Sequence, residues 1–261
     1  MNISMTSNRV PVQTTYTKSS NAIKQDSFGD VLKQSSAKDT FSVSSASNAS
    51  VSVGSLGVAA TQAKLDSISA EIKDTDYSRM SKAEIYADIE KRYTDAFDDY
   101  YAARVAFSGC QEYQMINNQF VTEVHNHIGI WYPDTVIEAR GYSNMSYEEI
   151  ETAIKEKYAG KTGFVDQLNL FSELYTSGVL SNKYGEEAAY DLAHNLEINI
   201  FLFSYENGLP PKDAWLRKVN EAGISSPFTL LLNAQYLSLA DKELFKTMVD
   251  DILFGVADKS E

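Results

Sequence analysis

Cysteine occurs once in these 261 residues, at Cys110, and histidine only three times, at His125, His127 and His194. A single thiol excludes an intrachain disulfide and any zinc site built on several thiolates. In an apolar stretch it reads as a small buried hydrophobe. Long hydrophobic runs are missing as well. The longest, Ile198 with Ile200–Phe203, falls far short of the roughly 20 residues a membrane span requires. Met1–Val10 contain no continuous apolar segment, so no cleaved signal peptide is expected; the chain would stay in the cytoplasm or be exported without one. Positive charge is scarce: 23 Lys and Arg stand against 36 Asp and Glu, a net charge of −13. So acidic a chain repels nucleic-acid phosphates and anionic membranes, and neither is an expected partner.

Several catalytic signatures are absent too. There is no Gly-x-Ser-x-Gly elbow and no Cys/His signature. Gly160-Lys161-Thr162 ends like a phosphate-binding loop, but Lys155 stands where that motif needs its first glycine, and no hydrophobic strand precedes it. Glu90, Asp95, Asp98 and Asp99 lack the twelve-residue calcium-loop pattern and read as a solvated helix face. No cofactor is implied and no small-molecule substrate can be identified. His125-Asn126-His127 admits a metal reading, since Glu123 and His127 lie at i and i+4 on a helix. A further ligand, such as His194, would have to come from elsewhere.

What is present is unevenly distributed. Residues 1–60 hold fourteen Ser and five Thr but only one of the sixteen Tyr, with five Lys/Arg against three Asp. That leaves eighteen basic against thirty-three acidic residues, or −15, for residues 61–261. Residues 1–57 therefore read as a polar, low-complexity N-terminal arm, too poor in large apolar groups to offset chain entropy alone. It carries two apolar islands: a short amphipathic turn around Phe28, Val31 and Leu32, and alternating segments at Phe41 and at Val51 and Val53 that would suit an added β-strand. These residues, with Tyr100 and Tyr101 of a Tyr-rich region, are the expected contact residues.

Residues 58–261 read as a mostly α, bundle-like domain. Leu65, Ile68 and Ile72 predict a helix over 58–72, and Asp74–Arg79 breaks it. The spacing of Ile85, Ile89, Tyr93, Phe97 and Tyr100 behind the Ser81/Glu84 capping box predicts one long helix over 81–107, with Gly109 as its interruption. Helices follow over 111–128 and from Phe164 to Tyr175, with a strand or extended connection at Val136–Arg140 and a loop at Val179–Gly185 between and after them. Glu186–Tyr205, apolar almost all round in its second half, predicts a central buried helix. Lys212–Ala222, Phe228–Tyr236 and a last helix from Ser238 complete the body. Met80-Ser-x-x-Glu-Ile-x-x-x-Ile-x-x-x-Tyr93 is echoed at Met145–Tyr158, which indicates two helices opening with the same capping box or a decayed duplication.

Phe171-Ser-Glu-Leu-Tyr-Thr-Ser-Gly-Val-Leu-Ser-Asn-Lys-Tyr-Gly185, with the two Met-Ser-x-x-Glu-Ile helices, resembles a group of uncharacterised proteins of Gram-positive spore-forming bacteria over roughly residues 80–205. The resemblance implies no activity and no functional residue. The Ser/Thr/Asn-rich start with its Asp26-Ser-Phe island is similar in style to substrates of flagellar export, although the heptad-rich terminal helices of hook and filament subunits are missing. The sequence thus points to a non-enzymatic interaction protein, with other copies of itself as partner, that assembles into an inclusion or lattice. The alternatives are a secreted or flagellum-associated protein whose arm is an export signal, and a metal-dependent enzyme.

Overall fold

The computed structural model describes residues 53–254, with side chains from Leu56 onward. Among them are twelve helices and no strand. In chain order these are α1 (Val53–Lys73), α2 (Lys82–Ala96), α3 (Tyr100–Val105), α4 (Gln111–Ile128), α5 (Pro133–Ala139), α6 (Tyr147–Lys157), α7 (Phe164–Thr176), α8 (Val179–Tyr184), α9 (Glu186–Glu206), α10 (Lys212–Glu221), α11 (Pro227–Leu232) and α12 (Leu239–Phe254). Phe28, Val31, Leu32, Phe41 and Val51 lie outside the described residues. Val53 is the first residue of α1, so the alternating segment assigned to an added strand turns helical there, and the expected 57/58 boundary falls inside this helix.

Packing follows the apolar stripes. α2 lies against α4 and α5, α1 against α4, α3 against α7, and α9 against α8 and α11. Leu65, Ile68 and Ile72 from α1 and Ile85, Ile89 and Tyr93 from α2 all enter one core. Phe120 of α4 is its aromatic hub. The rings of Tyr86, Tyr93, Tyr100 and Trp131 meet it at centroid distances of 5.7, 5.3, 5.3 and 6.5 Å.

The echoed motifs become two capping boxes. Ser81 Oγ accepts from the Glu84 N–H while Glu84 accepts from the Ser81 N–H, and Ser146 and Glu149 repeat the arrangement. Beyond the caps the two helices diverge: α2 packs on α4 and α5, whereas α6 packs on α7 and α8. Ser81→Ala or Ser146→Ala removes an acceptor for an otherwise unpaired helix N–H and is expected to cost about 1 kcal/mol, read as a lower urea midpoint with an unchanged slope.

Four expectations are corrected. The long helix over 81–107 breaks at Phe97, whose backbone is extended (φ −135°, ψ 110°). Asn169 of α7 causes the break: its Oδ1 accepts from the Ala102 N–H at 2.6 Å and its Nδ2 donates to the Asp98 carbonyl at 3.2 Å, so the backbone groups freed there are satisfied by another helix. Val136–Arg140 is not extended. Pro133 sits in the first turn of α5, where its fixed φ suits a helix start, and Val136 faces inward. Residues 179–184 are a helical turn, not a loop, because Val179 and Leu180 are buried. The helix expected to reach Tyr236 stops at Leu232. Gly109 does separate α3 from α4, for a packing reason. A Cβ there would stand 3.0 Å from both the Ala106 carbonyl and Ile200 Cγ2 and 3.1 Å from Trp215 Cζ2, so any side chain at 109 would press against α9 and α10.

Candidate interaction surface

The side chains that sequence reading marked for chemistry are dispersed or already engaged. On α4, the Glu123 carboxylate accepts from Ser69 Oγ, and His127 Nδ1 lies 2.8 Å from the Glu123 carbonyl, with its ring edge-on to Tyr77. His125 is exposed. His194 is on α9, stacked on Tyr190 at 5.5 Å. Among the described residues no three His, Cys, Asp or Glu side chains converge as metal ligands. Cys110 is buried at the start of α4, and desolvation pushes its thiol up to about 12, the opposite of what a nucleophile needs.

The acidic face also divides. Glu90 does not meet water: it is 5% exposed and forms the bidentate partner of Arg140, at 2.9 Å from Nε and 2.7 Å from the second guanidinium nitrogen. Arg140 additionally donates to Thr176 Oγ1 (3.0 Å) and Ser177 Oγ (2.7 Å) and lies over the Tyr101 ring at 5.1 Å. Asp99 pairs with Lys212 at 2.9 Å. Next to this centre, Glu173 accepts from Lys157 (2.7 Å) and from the Tyr158 phenol (2.8 Å), and that burial and charge push the phenol's pKa up.

Tyr100 and Tyr101 belong to this interior and not to a contact surface. Tyr100 is 1% exposed between Tyr93 and Phe120, with its hydroxyl toward Glu90; Tyr101 is half-buried beneath Arg140 and Lys157. Their position on the inward stripe with Tyr93, where α3 meets α7, draws both rings in. A polar cleft of about 430 Å³ opens beside them, lined by Thr94, Asp98, Tyr101, Lys157, Lys161 and Asn169 among others. Lys157 and Asn169 are already committed to Glu173 and to the backbone break.

The unusual surface is on α9. Sequence spacing predicts this helix to be buried all round in its second half, and the structure corrects that. Its inner side there holds Asn199, Ile200 and Ser204, while Leu202 and Tyr205 are 42% and 65% exposed, Ile198 and Phe201 half-buried, and Leu209 just beyond 45% exposed. Asn199 and Ser204 point in beside Ile200, and Leu202 and Tyr205 point out. The buried pair is satisfied locally: Ser204 Oγ donates to the Ile200 carbonyl at 2.8 Å, and Asn199 Nδ2 reaches the Asn195 carbonyl and the Tyr236 hydroxyl, each at 2.7 Å. Leu209 is held at φ +47°, a costly backbone for leucine, by its N–H bond to the Ser204 carbonyl at 2.8 Å and by Pro210 after it. This face was legible in part. The i, i+4, i+7 spacing of Ile198, Leu202 and Tyr205 marks a second stripe, and Asn199 and Ser204 disguise the inner one. α9 carries five acidic residues and no Lys or Arg.

No protein family, curated protein or solved structure matches this chain. Among the described residues no helix is long and apolar enough to cross a membrane.

Proposed function

We propose that this chain is a non-enzymatic interaction protein that assembles with other copies of itself, as an inclusion or lattice subunit. In this reading the outer face of α9 (Ile198, Phe201, Leu202, Tyr205 and Leu209) receives the arm of a second copy. One observation carries it: a helix that buries asparagine and serine while it exposes leucine and tyrosine spends its apolar surface on something outside the fold. The occupant follows from charge and pattern. The arm as a whole has five Lys/Arg against three Asp, and its Phe28, Val31 and Leu32 island supplies the apolar contacts, with Lys24 and Lys33 balanced by Asp26 and Asp30. The receiving helix is purely acidic. The resemblance to the spore-former group is part of the same reading and adds no activity to it.

Light scattering coupled to size exclusion tests this on the full chain, at low and high salt. Removing residues 1–52, or the double change Leu202→Glu/Tyr205→Glu, is expected to reduce the particle to the mass of one chain while the helical circular dichroism persists. Added salt is expected to weaken the wild-type assembly only partly, since the apolar component is unscreened. An assembly unchanged by both variants, or a wild type that is monomeric throughout, overturns the proposal.

A further inference from the structure

Away from that face, α3, α7 and the middle of α9 enclose a cleft of about 140 Å³ lined by Arg104, Val105, Tyr175, Tyr190, Ala193, His194 and Glu197. Glu197 is its one carboxylate, half-buried, and its oxygens have a single hydrogen bond, from Ser108 Oγ at 3.1 Å. No lysine, arginine or histidine of the described residues forms an ion pair with it. Arg104 lines the same cleft, but its guanidinium is committed elsewhere, to Asn117 Oδ1 and to the face of Phe120 at 4.5 Å. The remaining walls are π-faces and phenols: Tyr190 stacked with His194, and Tyr175, whose phenol feels both Tyr190 and Glu197.

A carboxylate withdrawn from water with only a neutral donor beside it is costly. Two buried carboxylates of the described residues pair with a cation, Glu90 with Arg140 and Glu173 with Lys157, and Glu112 accepts from the Lys212 backbone N–H at 2.8 Å. Glu197 has only the longer Ser108 contact, and it alone of these lines an open cleft. Desolvation accordingly pushes its carboxyl up to about 7. What the cleft lacks is one compact cation with several donors, and what it offers is one anion, phenol oxygens and aromatic faces. That complement describes an ammonium group, which pairs with a carboxylate as a point charge and sits favourably over aromatic rings. A metal ion would want more oxygen or nitrogen ligands than converge here.

We propose that the Glu197 cleft is a binding site for an alkylammonium group, supplied either by a small free amine or by a lysine side chain of another polypeptide. The ligand binds the ionised carboxylate. Affinity therefore rises with pH and levels off once Glu197 is ionised, while amines stay protonated until about pH 10. Facing Glu197 are Ser108 from the α3–α4 connection, Tyr175 from α7, and Tyr190 and His194 from α9, with the Arg104 stem from α3. Of these, His194 is the imidazole beside the carboxylate, so its signal must be followed alongside.

The full chain, labelled with ¹³C at glutamate carboxyls and uniformly with ¹⁵N, is titrated with methylammonium chloride and separately with Nα-acetyl-lysine methylamide. Sodium chloride and N-acetylglycine methylamide serve as controls. Saturable shifts of the Glu197 carboxyl and of the Ser108 and His194 amides are expected. They should come with a lowered Glu197 titration midpoint and an affinity that falls about tenfold per pH unit below that midpoint. Glu197→Gln keeps the size and the Ser108 contact and removes the charge; it should fold with an unchanged spectrum elsewhere and lose saturation. Tighter binding of the lysine derivative assigns the cleft to a side chain, and tighter binding of methylammonium to a free amine. Absence of saturable shifts in the wild type, equal shifts in Glu197→Gln, or an unmoved midpoint at high amine overturns the proposal.

Discussion

Arg140→Ala is expected to destabilise the body by about 3–5 kcal/mol, a fall in melting temperature on the order of 6–20 °C for a domain of this size. The argument lies in what stays behind. Glu90 remains on α2, almost wholly enclosed, with the Tyr86 and Tyr100 phenols 3.5 Å from Oε1 as its nearest donors. Thr176 and Ser177 lose their shared donor as well. Two changes separate the cost of a stranded charge from the worth of the pair. Glu90→Gln/Arg140→Met replaces both charges and should recover much of the loss, because an intact buried pair itself stabilises little over apolar packing. Arg140→Lys keeps the charge but not the two-pronged geometry, and should fall between. Calorimetry of the four proteins decides it. A single alanine variant that melts within a degree or two of the wild type would show that water reaches Glu90.

Phe120→Ala is expected to cost a similar 3–5 kcal/mol for a different reason. Four rings and the Arg104 guanidinium converge on this side chain. They come from α2, α3 and the segment before α5, so a collapse that relieves one neighbour opens a gap at another. The void left by alanine would therefore stay largely unfilled, and that sets the loss at the upper end of large-to-small changes. Chemical denaturation should show a lower midpoint with little change in slope. Phe120→Leu should recover about half by restoring volume without the edge-to-face contacts. A loss of 1 kcal/mol or less would mean that the surrounding helices close up freely.

The pattern of legibility is physical. α4 and α10 could be read with nearly their observed bounds, because caps and stripes there are local. α2 was marked by Ser81 and Glu84, and both capping boxes formed as spaced. Its far end was hidden, because the break is imposed by an asparagine about seventy positions away and the stripe of aromatic residues continues straight across it. The sequence groups Glu90 with Asp95, Asp98 and Asp99 as a solvated face, and only the placement of α5 brings Arg140 to it. Val136–Arg140 reads as extended because five residues give too little period. On α9, composition marks a helix but implies burial all round its second half, whereas Asn199 and Ser204 bond within the chain and take the inner side. The Glu197 cleft had no signature at all: one glutamate among 36 acidic residues carries no mark of isolation until three helices close around it.

Asn169 has one more consequence. A six-residue helix is too short to persist by itself, and α3 has the Ala102 N–H of its first turn satisfied by a side chain of α7. α7 caps its own start through Gly163 and Asp166, but α3 has an unfinished first turn until α7 is present, so a chain cut between them leaves α3 incomplete. Assembly of this region must then wait for a loop of some seventy residues to close, an entropic toll that ties early and late parts of the body into one cooperative unit.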